Sequence, residues 1–177
     1  MPVAPWAGQA LAMLELRALD PDDWRLWREL RLAALADAPE AFGSVLADWQ
    51  GPGDREERWR SRLSIPGGCS FVVLLDGRGV GMVSAVPGDD AGTVELISMW
   101  VSPTARGRGV GDLLIRAAEQ WAVGRGAGTL RLAVMPDKGG AIALYERNGF
   151  VSTGEVGNLH PAGRGREAVM AKRLVAG

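Results

Sequence analysis

A glycine-rich turn between an apolar strand and a strongly amphipathic helix constrains the fold of this chain more than any other segment. The turn reads Arg106-Gly107-Arg108-Gly109-Val110-Gly111. The strand before it is predicted over Thr93–Val101 and ends at Ser102-Pro103. The helix after it is indicated by apolar residues at helical spacing, namely Val110, Leu113, Leu114, Ala117, Ala118 and Trp121. A strand that leads directly into such a helix indicates an α/β domain.

The same turn has the chemistry of an anion-binding site. Glycines let backbone N–H groups come close to a ligand, and a helix N-terminus carries partial positive charge. The side chains of Arg106 and Arg108 suit a pyrophosphate. Two better-known phosphate loops do not fit, because a Walker A loop needs Gly-Lys-Ser/Thr where Gly111-Asp112-Leu113 stands, and a Rossmann fingerprint needs another glycine spacing. The structural alternative is a glycine turn with solvated arginines.

The other segments predict the element order β-α-α-β-β-β-α-β-α-β-β. Besides Thr93–Val101, the predicted strands are Leu14–Leu19, Ser70–Leu75, Val80–Val86, Thr129–Val134, Phe150–Val156 and Glu167–Leu174. The predicted helices run from Asp20-Pro21 to about Ala36, over Arg55–Leu63, from Val110 to Gly124, and over Ala141–Arg147. Asp76-Gly77-Arg78-Gly79 is a hairpin signal, and Gly157–Gly165 is predicted as a glycine-rich loop. No repeat or wide linker divides the chain.

The counts of chemically active residue types exclude several classes of protein. The 177 residues include one cysteine (Cys69), one histidine (His160) and one tyrosine (Tyr145). A lone cysteine cannot form an internal disulfide, and one Cys with one His cannot build a Cys/His zinc site. With 20 basic and 21 acidic side chains the net charge is −1, which argues against a protein that mainly grips nucleic acid. We expect no metal and no nucleic-acid partner.

The sequence contains no segment with the pattern of a membrane span or a signal peptide. No apolar run approaches the roughly 18–20 residues that a spanning helix needs. Residues 1–13 lack the positively charged start and long apolar core of a signal peptide. We therefore expect a cytoplasmic protein without a membrane partner, with a loose extension over residues 1–13 and a single domain over residues 14–177.

Two motifs in order make the chain similar to a known family. Arg106, Gly109 and Gly111 form R-x-x-G-x-G after a strand, and the segment 143–150, Ala-Leu-Tyr-Glu-Arg-Asn-Gly-Phe, follows about thirty residues later. This combination resembles the GCN5-related N-acetyltransferase (GNAT) superfamily over roughly Glu15 to Leu174. The resemblance implies a mixed, mostly antiparallel central sheet of about seven strands flanked by four helices. It also implies acetyl-CoA as co-substrate and an amine as acceptor.

The resemblance assigns roles to particular residues. Tyr145 matches the tyrosine that protonates the departing thiolate, and Glu95, six residues before Val101, matches the base glutamate of the histone-acetyltransferase branch. Ser98 is the runner-up for positioning a water or the substrate. For the cofactor, the family implies that the pantetheine arm pairs with Met99, Trp100 and Val101. It implies that the pyrophosphate is bound by Arg106, Gly107, Arg108, Gly109, Val110, Gly111 and Asp112, and that Lys138 stands at a further cofactor-binding position.

Two departures from the family keep other functions open. Lys138 stands where many members carry an asparagine that contacts the cofactor, and Ala133 stands where ribosomal-protein N-terminal acetyltransferases have a second glutamate. A non-catalytic acyl-CoA-binding sensor or scaffold of the same fold is therefore the alternative, and a longer acyl donor is a further one. The acceptor can be a small-molecule amine, a peptide N-terminus or a lysine side chain. The family also makes a homodimer plausible.

Three further side chains have both a functional and a structural interpretation. Trp49 and Trp59 lie near the predicted acceptor side, where an aromatic substrate wall competes with simple packing. His160 lies close to the expected acceptor entrance, but the sequence favours a solvated loop histidine.

Overall fold

The structure, a computed structural model, describes residues 12–175 and contains one seven-stranded sheet in the order β1-β2-β3-β4-β5-β7-β6. The strands are β1 (Leu14–Leu19), β2 (Cys69–Leu75), β3 (Arg78–Pro87), β4 (Thr93–Val101), β5 (Thr129–Val134), β6 (Val151–Leu159) and β7 (Arg166–Arg173). The helices are α1 (Trp24–Asp37), α2 (Glu56–Arg62), α3 (Val110–Gly124) and α4 (Gly139–Arg147). β4 and β5 run parallel, whereas the other neighbouring strands are antiparallel. The predicted fold class is confirmed.

Two hydrophobic clusters lie on opposite faces of the sheet. Cluster one contains the buried side of α3 together with Phe71 and Val73 of β2. Cluster two contains the buried side of α1 together with Val72 and Leu74 of the same strand. Successive side chains of a strand point to opposite faces, so the apolar run of β2 contributes to both clusters. This arrangement explains why β2 is apolar at consecutive positions rather than at alternate ones.

A close contact between α3 and β3 fixes the height of α3 above the sheet. A Cβ atom on Gly81 of β3 would lie 2.7 Å from Val110 Cγ1 and 3.0 Å from Leu114 Cδ1. A glycine is therefore required here for the first two turns of α3 to pack against β3. Because Val110 follows the glycine-rich turn directly, the same contact also positions that turn.

Several element boundaries differ from those predicted. Pro21–Asp23 forms a 3-10 turn before α1, capped by Asp20, whose side chain accepts a hydrogen bond of 2.7 Å from the Asp22 amide. The β2–β3 hairpin has a two-residue turn in which Asp76 and Gly77 both have positive φ, at 49° and 78°, as tight hairpins require. β6 continues to Leu159, which pairs with Arg166 of β7 after two register shifts, so the predicted glycine-rich loop is shorter than Gly157–Gly165.

The predicted N-terminal extension lies mostly outside the described residues, which begin at residue 12. Met13 is joined to the hairpin turn by two hydrogen bonds: its amide donates to Asp76 Oδ1 at 3.0 Å, and the Asp76 amide donates to its carbonyl oxygen at 3.1 Å. Within residues 12–175, none of the helices combines the length and apolar character needed to cross a bilayer.

Candidate active site

A cleft opens where the two parallel strands diverge. The pairing of β4 with β5 ends at Leu96 and Leu132. Beyond that point the strands enclose a cleft of about 740 Å³. It is lined by Ile97–Val101 on the β4 side and by residues 133–135 on the β5 side. Strand residues that have left a parallel neighbour keep backbone N–H and C=O groups on that side without a sheet partner. An extended ligand that carries amides can pair with such groups.

A β-bulge at Ser98 turns the strand as it enters the cleft. Ser98 has φ +57°, and the register of β3 against β4 shifts by one residue there, from Ser84↔Ile97 to Met82↔Trp100. Before the bulge Leu96 belongs to cluster one, but after it Trp100 belongs to cluster two. The bulge therefore reverses which alternate residues of β4 face α3, a change that the regular apolar pattern of the sequence does not reveal.

The glycine-rich turn ends the cleft at the N-terminus of α3. Gly107 and Gly109 have φ of 75° and 79°, and a Cβ at either position would meet nothing within 4 Å. The intrahelical bonds begin at the Leu113 amide, which donates to the Gly109 carbonyl at 3.0 Å. The amides of the first helical residues, 110–112, therefore have no acceptor within the helix. Open space, free amides and the helix dipole together make this turn suitable for a pyrophosphate.

The two arginines of the turn differ in their surroundings. The Arg106 guanidinium donates to Asp37 Oδ2 at 2.6 Å and to the Val101 carbonyl at 3.1 Å. Trp100 Nε1 donates to the same Asp37 oxygen at 3.0 Å. The hydrogen bond from Trp100, followed by that from Arg106, holds the pKa of Asp37 below its usual range. Arg108 is exposed and is not among the residues that line the cleft.

Two other carboxylates in the cleft lining are also held in ion pairs. Asp112, in the first turn of α3, accepts two bonds of 3.0 Å from Arg147 of α4 and one of 2.7 Å from Asn148. Lys138 donates to Glu40, and both residues line the cleft. The hydrogen bonds from Arg147 and Lys138 are the main reason that the pKa values of Asp112 and Glu40 are lowered.

Tyr145 of α4 also lines the cleft. Its side chain is 7% exposed, and its ring packs edge-to-face against Phe150 with centroids 5.9 Å apart. Its hydroxyl makes no hydrogen bond with any described residue. Burial raises the pKa of Tyr145 to about 12. The hydroxyl is therefore protonated at every physiological pH.

Glu95, the candidate base, lies in a second cavity rather than in the cleft. This cavity of about 390 Å³ shares Leu132 and Ala133 with the cleft lining. Glu95 is half-buried and forms no ion pair with any described residue. The other charged side chains of the cavity are Asp89, Arg131, Glu155, Arg166 and Glu167, of which Arg131 and Glu155 form an ion pair of 3.1 Å.

The structure favours the packing interpretation of two tryptophans and corrects the expectation for the histidine. Trp49 and Trp59 are buried in cluster two, with ring centroids 4.7 Å apart, and neither lines the cleft or the second cavity. His160 is 4% exposed rather than solvated, and its Nδ1 accepts a hydrogen bond of 3.1 Å from the Ala162 amide. Asp37 and Glu40 have no role predicted from the sequence. No local signal identifies them, because their partners lie 69 and 98 residues away.

Comparison with known proteins decides the family. The sequence profile of the acetyltransferase (GNAT) family matches residues 10–150. The chain belongs to this family. The GNAT chain is similar to human N-acetylaspartate synthetase, with 38% identity over 85 residues, a match that covers 48% of this chain and 28% of that protein. It therefore spans only about a quarter of that relative's length.

Solved GNAT structures share the fold. A GNAT acetyltransferase from Streptococcus pneumoniae superposes with a TM-score of 0.75 at 20% identity, covering 92% of this chain and all of that one. Spermidine N-acetyltransferase from Vibrio cholerae, solved with CoA and spermine, superposes with a TM-score of 0.72 at 22% identity. The match covers 90% of this chain and 95% of that one. At these identities the likeness concerns the fold alone.

Proposed function

We propose that this GNAT chain transfers the acetyl group of acetyl-CoA directly to a primary amine. One observation carries the proposal: the cleft between β4 and β5 is lined by an anion-binding turn, by strand backbone without a sheet partner and by a buried tyrosine. These three features match, in order, the pyrophosphate, the amide-bearing pantetheine arm and the thioester of acetyl-CoA. Membership of the GNAT family supports the same assignment.

The cleft residues divide the binding of acetyl-CoA between them. The amides of residues 110–112 at the start of α3 bind the pyrophosphate, helped by the open space over Gly107 and Gly109. The backbone of Met99–Val101 pairs with pantetheine in place of the missing β5 neighbour. Arg106 is hydrogen-bonded to Asp37, and Lys138 to Glu40. We therefore assign the side chains of Arg106 and Lys138 mainly to shaping the cleft walls, and phosphate contact is secondary.

The transfer step requires one acid and one base. The amine lone pair forms a C–N bond with the thioester carbonyl carbon, and the carbonyl oxygen takes the negative charge. When the C–S bond breaks, the sulfur takes the Tyr145 hydroxyl proton, which burial keeps in place. The amine loses its proton to Glu95 through solvent, because Glu95 lies in the adjoining cavity. Solvent then returns a proton to Tyr145.

The acceptor amine enters through the second cavity, whose walls meet the cleft at Leu132 and Ala133. The cavity is lined by four carboxylates and two guanidinium groups, so its net charge is negative. A negative opening attracts cationic amines, which makes a polyamine the first class of acceptor to test. A cytoplasmic location, an acetyl rather than a longer acyl group, and a homodimer stay predictions of the sequence.

Calorimetry with acetyl-CoA, followed by a thiol-release assay, tests the proposal. The amine panel is spermidine, aspartate and a peptide with both a free N-terminus and a lysine. We expect acetyl-CoA to bind and at least one amine to release CoA thiol. A well-folded protein that does not bind acetyl-CoA would refute the proposal. Binding without turnover of any panel amine would instead favour the non-catalytic acyl-CoA sensor.

A further inference from the structure

Every carboxylate that lines the acetyl-CoA cleft is already engaged in strong hydrogen bonds. Asp37 accepts from Trp100 and Arg106, Glu40 accepts from Lys138, and Asp112 accepts from Arg147 and Asn148. These partners lower the pKa values of all three carboxyl groups, which makes each a weak proton acceptor. None of the three is therefore suited to receive the proton of an attacking amine.

The second cavity does not bring a carboxylate to the thioester either. The Glu95 side chain lines the second cavity and not the cleft, so it does not contact an amine held in the cleft beside Ser98. Some group nearer the reacting nitrogen must hold the amine and connect it to Glu95.

Ser98 has the properties that such a group needs. It is 8% exposed, it lines the cleft, and its hydroxyl makes no hydrogen bond with any other residue between 12 and 175. The hydroxyl oxygen is not one of the fully buried polar atoms that lack a partner, so it stays open to a ligand or to solvent in the cleft. Its φ of +57° is unusual for a residue other than glycine, yet the position holds a serine rather than a glycine. The chain thus carries a side chain at a backbone position where glycine would be less strained.

We propose that the Ser98 hydroxyl is a catalytic group of this chain and that it contacts the acceptor amine. This role rests on the proposed acetyl transfer. The Ser98 oxygen accepts a hydrogen bond from the amine N–H, which directs the nitrogen lone pair at the thioester carbonyl carbon. As the C–N bond forms, the amine proton moves to the Ser98 oxygen, and the proton already on that oxygen passes through solvent to the Glu95 carboxylate. Tyr145 supplies a separate proton to the leaving sulfur, so the protons balance.

Two substitutions separate the hydroxyl from the backbone conformation. S98A removes the hydroxyl but keeps the Cβ atom and its strain, whereas S98G removes the hydroxyl and suits the positive φ. Ser102→Ala is the matched control, because Ser102 lies four residues further on and does not line the cleft. Each variant is compared with the parent protein in three measurements: acetyl-CoA affinity, melting temperature, and kcat with whichever of spermidine, aspartate and the lysine peptide the parent acetylates fastest.

We expect S98A and S98G both to lower kcat about tenfold to hundredfold. Their acetyl-CoA affinity stays within about twofold of the parent, S98G melts no lower than the parent, and Ser102→Ala keeps the parental kcat. A parental kcat in S98G would overturn the role, whether or not S98A is impaired. An equal loss of acetyl-CoA affinity and of kcat/KM in both variants would overturn it too, because the hydroxyl would then bind the cofactor. A parent protein that binds acetyl-CoA but acetylates no amine overturns the proposed function together with this role.

Discussion

Gly111 of α3 and Leu144 of α4 pack so closely that a side chain at position 111 would collide with the leucine. A Cβ on Gly111 would lie 2.8 Å from Leu144 Cδ2 and 3.2 Å from its Cδ1. Both residues line the cleft between β4 and β5, and Leu144 directly precedes Tyr145. The last glycine of the R-x-x-G-x-G motif therefore serves helix packing, in addition to the pyrophosphate binding that we propose for the turn.

Gly111→Ala is expected to weaken acetyl-CoA binding about tenfold, because the displaced Leu144 side chain has to move within the cleft. Calorimetry with acetyl-CoA measures the effect. Gly124→Ala is the matched control in the same helix, since a Cβ there would meet nothing within 4 Å. The control should keep parental affinity and gain up to about 1 kcal/mol of stability. Parental affinity in Gly111→Ala would show that Leu144 turns away from the cleft.

The titration of Tyr145 can be followed without interference, because the chain has no other tyrosine. In the folded protein we expect the tyrosinate absorbance to appear with a midpoint near the raised pKa of about 12. In denaturant the midpoint should return to about 10. A folded-state midpoint near 10 would mean that the phenol is solvated.

The same shift predicts an alkaline loss of stability. Because folding raises the pKa of Tyr145, its contribution to stability is complete below the unfolded value of about 10 and is lost as the pH rises to about 12. The free energy of unfolding should fall by about 2–3 kcal/mol over this interval. Tyr145→Phe should remove this part of the fall, as measured by denaturant unfolding at each pH.

Tyr145→Phe also tests the proposed acid. We expect kcat to fall about a hundredfold or more, with the acetyl-CoA affinity within about twofold of the parent. The ring still packs against Phe150, so the variant should fold. Thiol release and calorimetry provide the two values. Unchanged turnover would remove the hydroxyl from the mechanism.

Glu95→Gln tests the proposed base. The amide has the shape of the carboxylate but cannot accept the proton, so kcat should fall about tenfold to hundredfold. Acetyl-CoA affinity should not change, because Glu95 does not line the cleft. Asp89→Asn is the control, since it neutralises an exposed carboxylate of the same cavity. Equal losses in both variants would indicate that the charge of the cavity matters rather than a base at position 95.

Much of the site could be predicted because its parts are local in the sequence. The helical spacing from Val110 onward, the glycines before it and the tyrosine near the end of α4 each depend on neighbours within a few residues. The family resemblance assigned the glycine-rich turn and Tyr145 to the same ligand, and in the structure both line one cleft. The predicted strand over Thr93–Val101 agrees with β4 in both of its bounds.

The sequence by itself determined which segments become strands and helices, which family the chain joins and which turn is the candidate anion site. These properties follow from periodicity, glycine and charge along a short stretch of chain. Only the tertiary structure decided that Asp37 holds Arg106, that Glu40 holds Lys138 and that Glu95 lies in a separate cavity. Such contacts join residues far apart in the chain, so no local pattern records them. The bulge at Ser98 is likewise set by the register between β3 and β4, and it decides which alternate side chains of β4 face cluster one and which face cluster two.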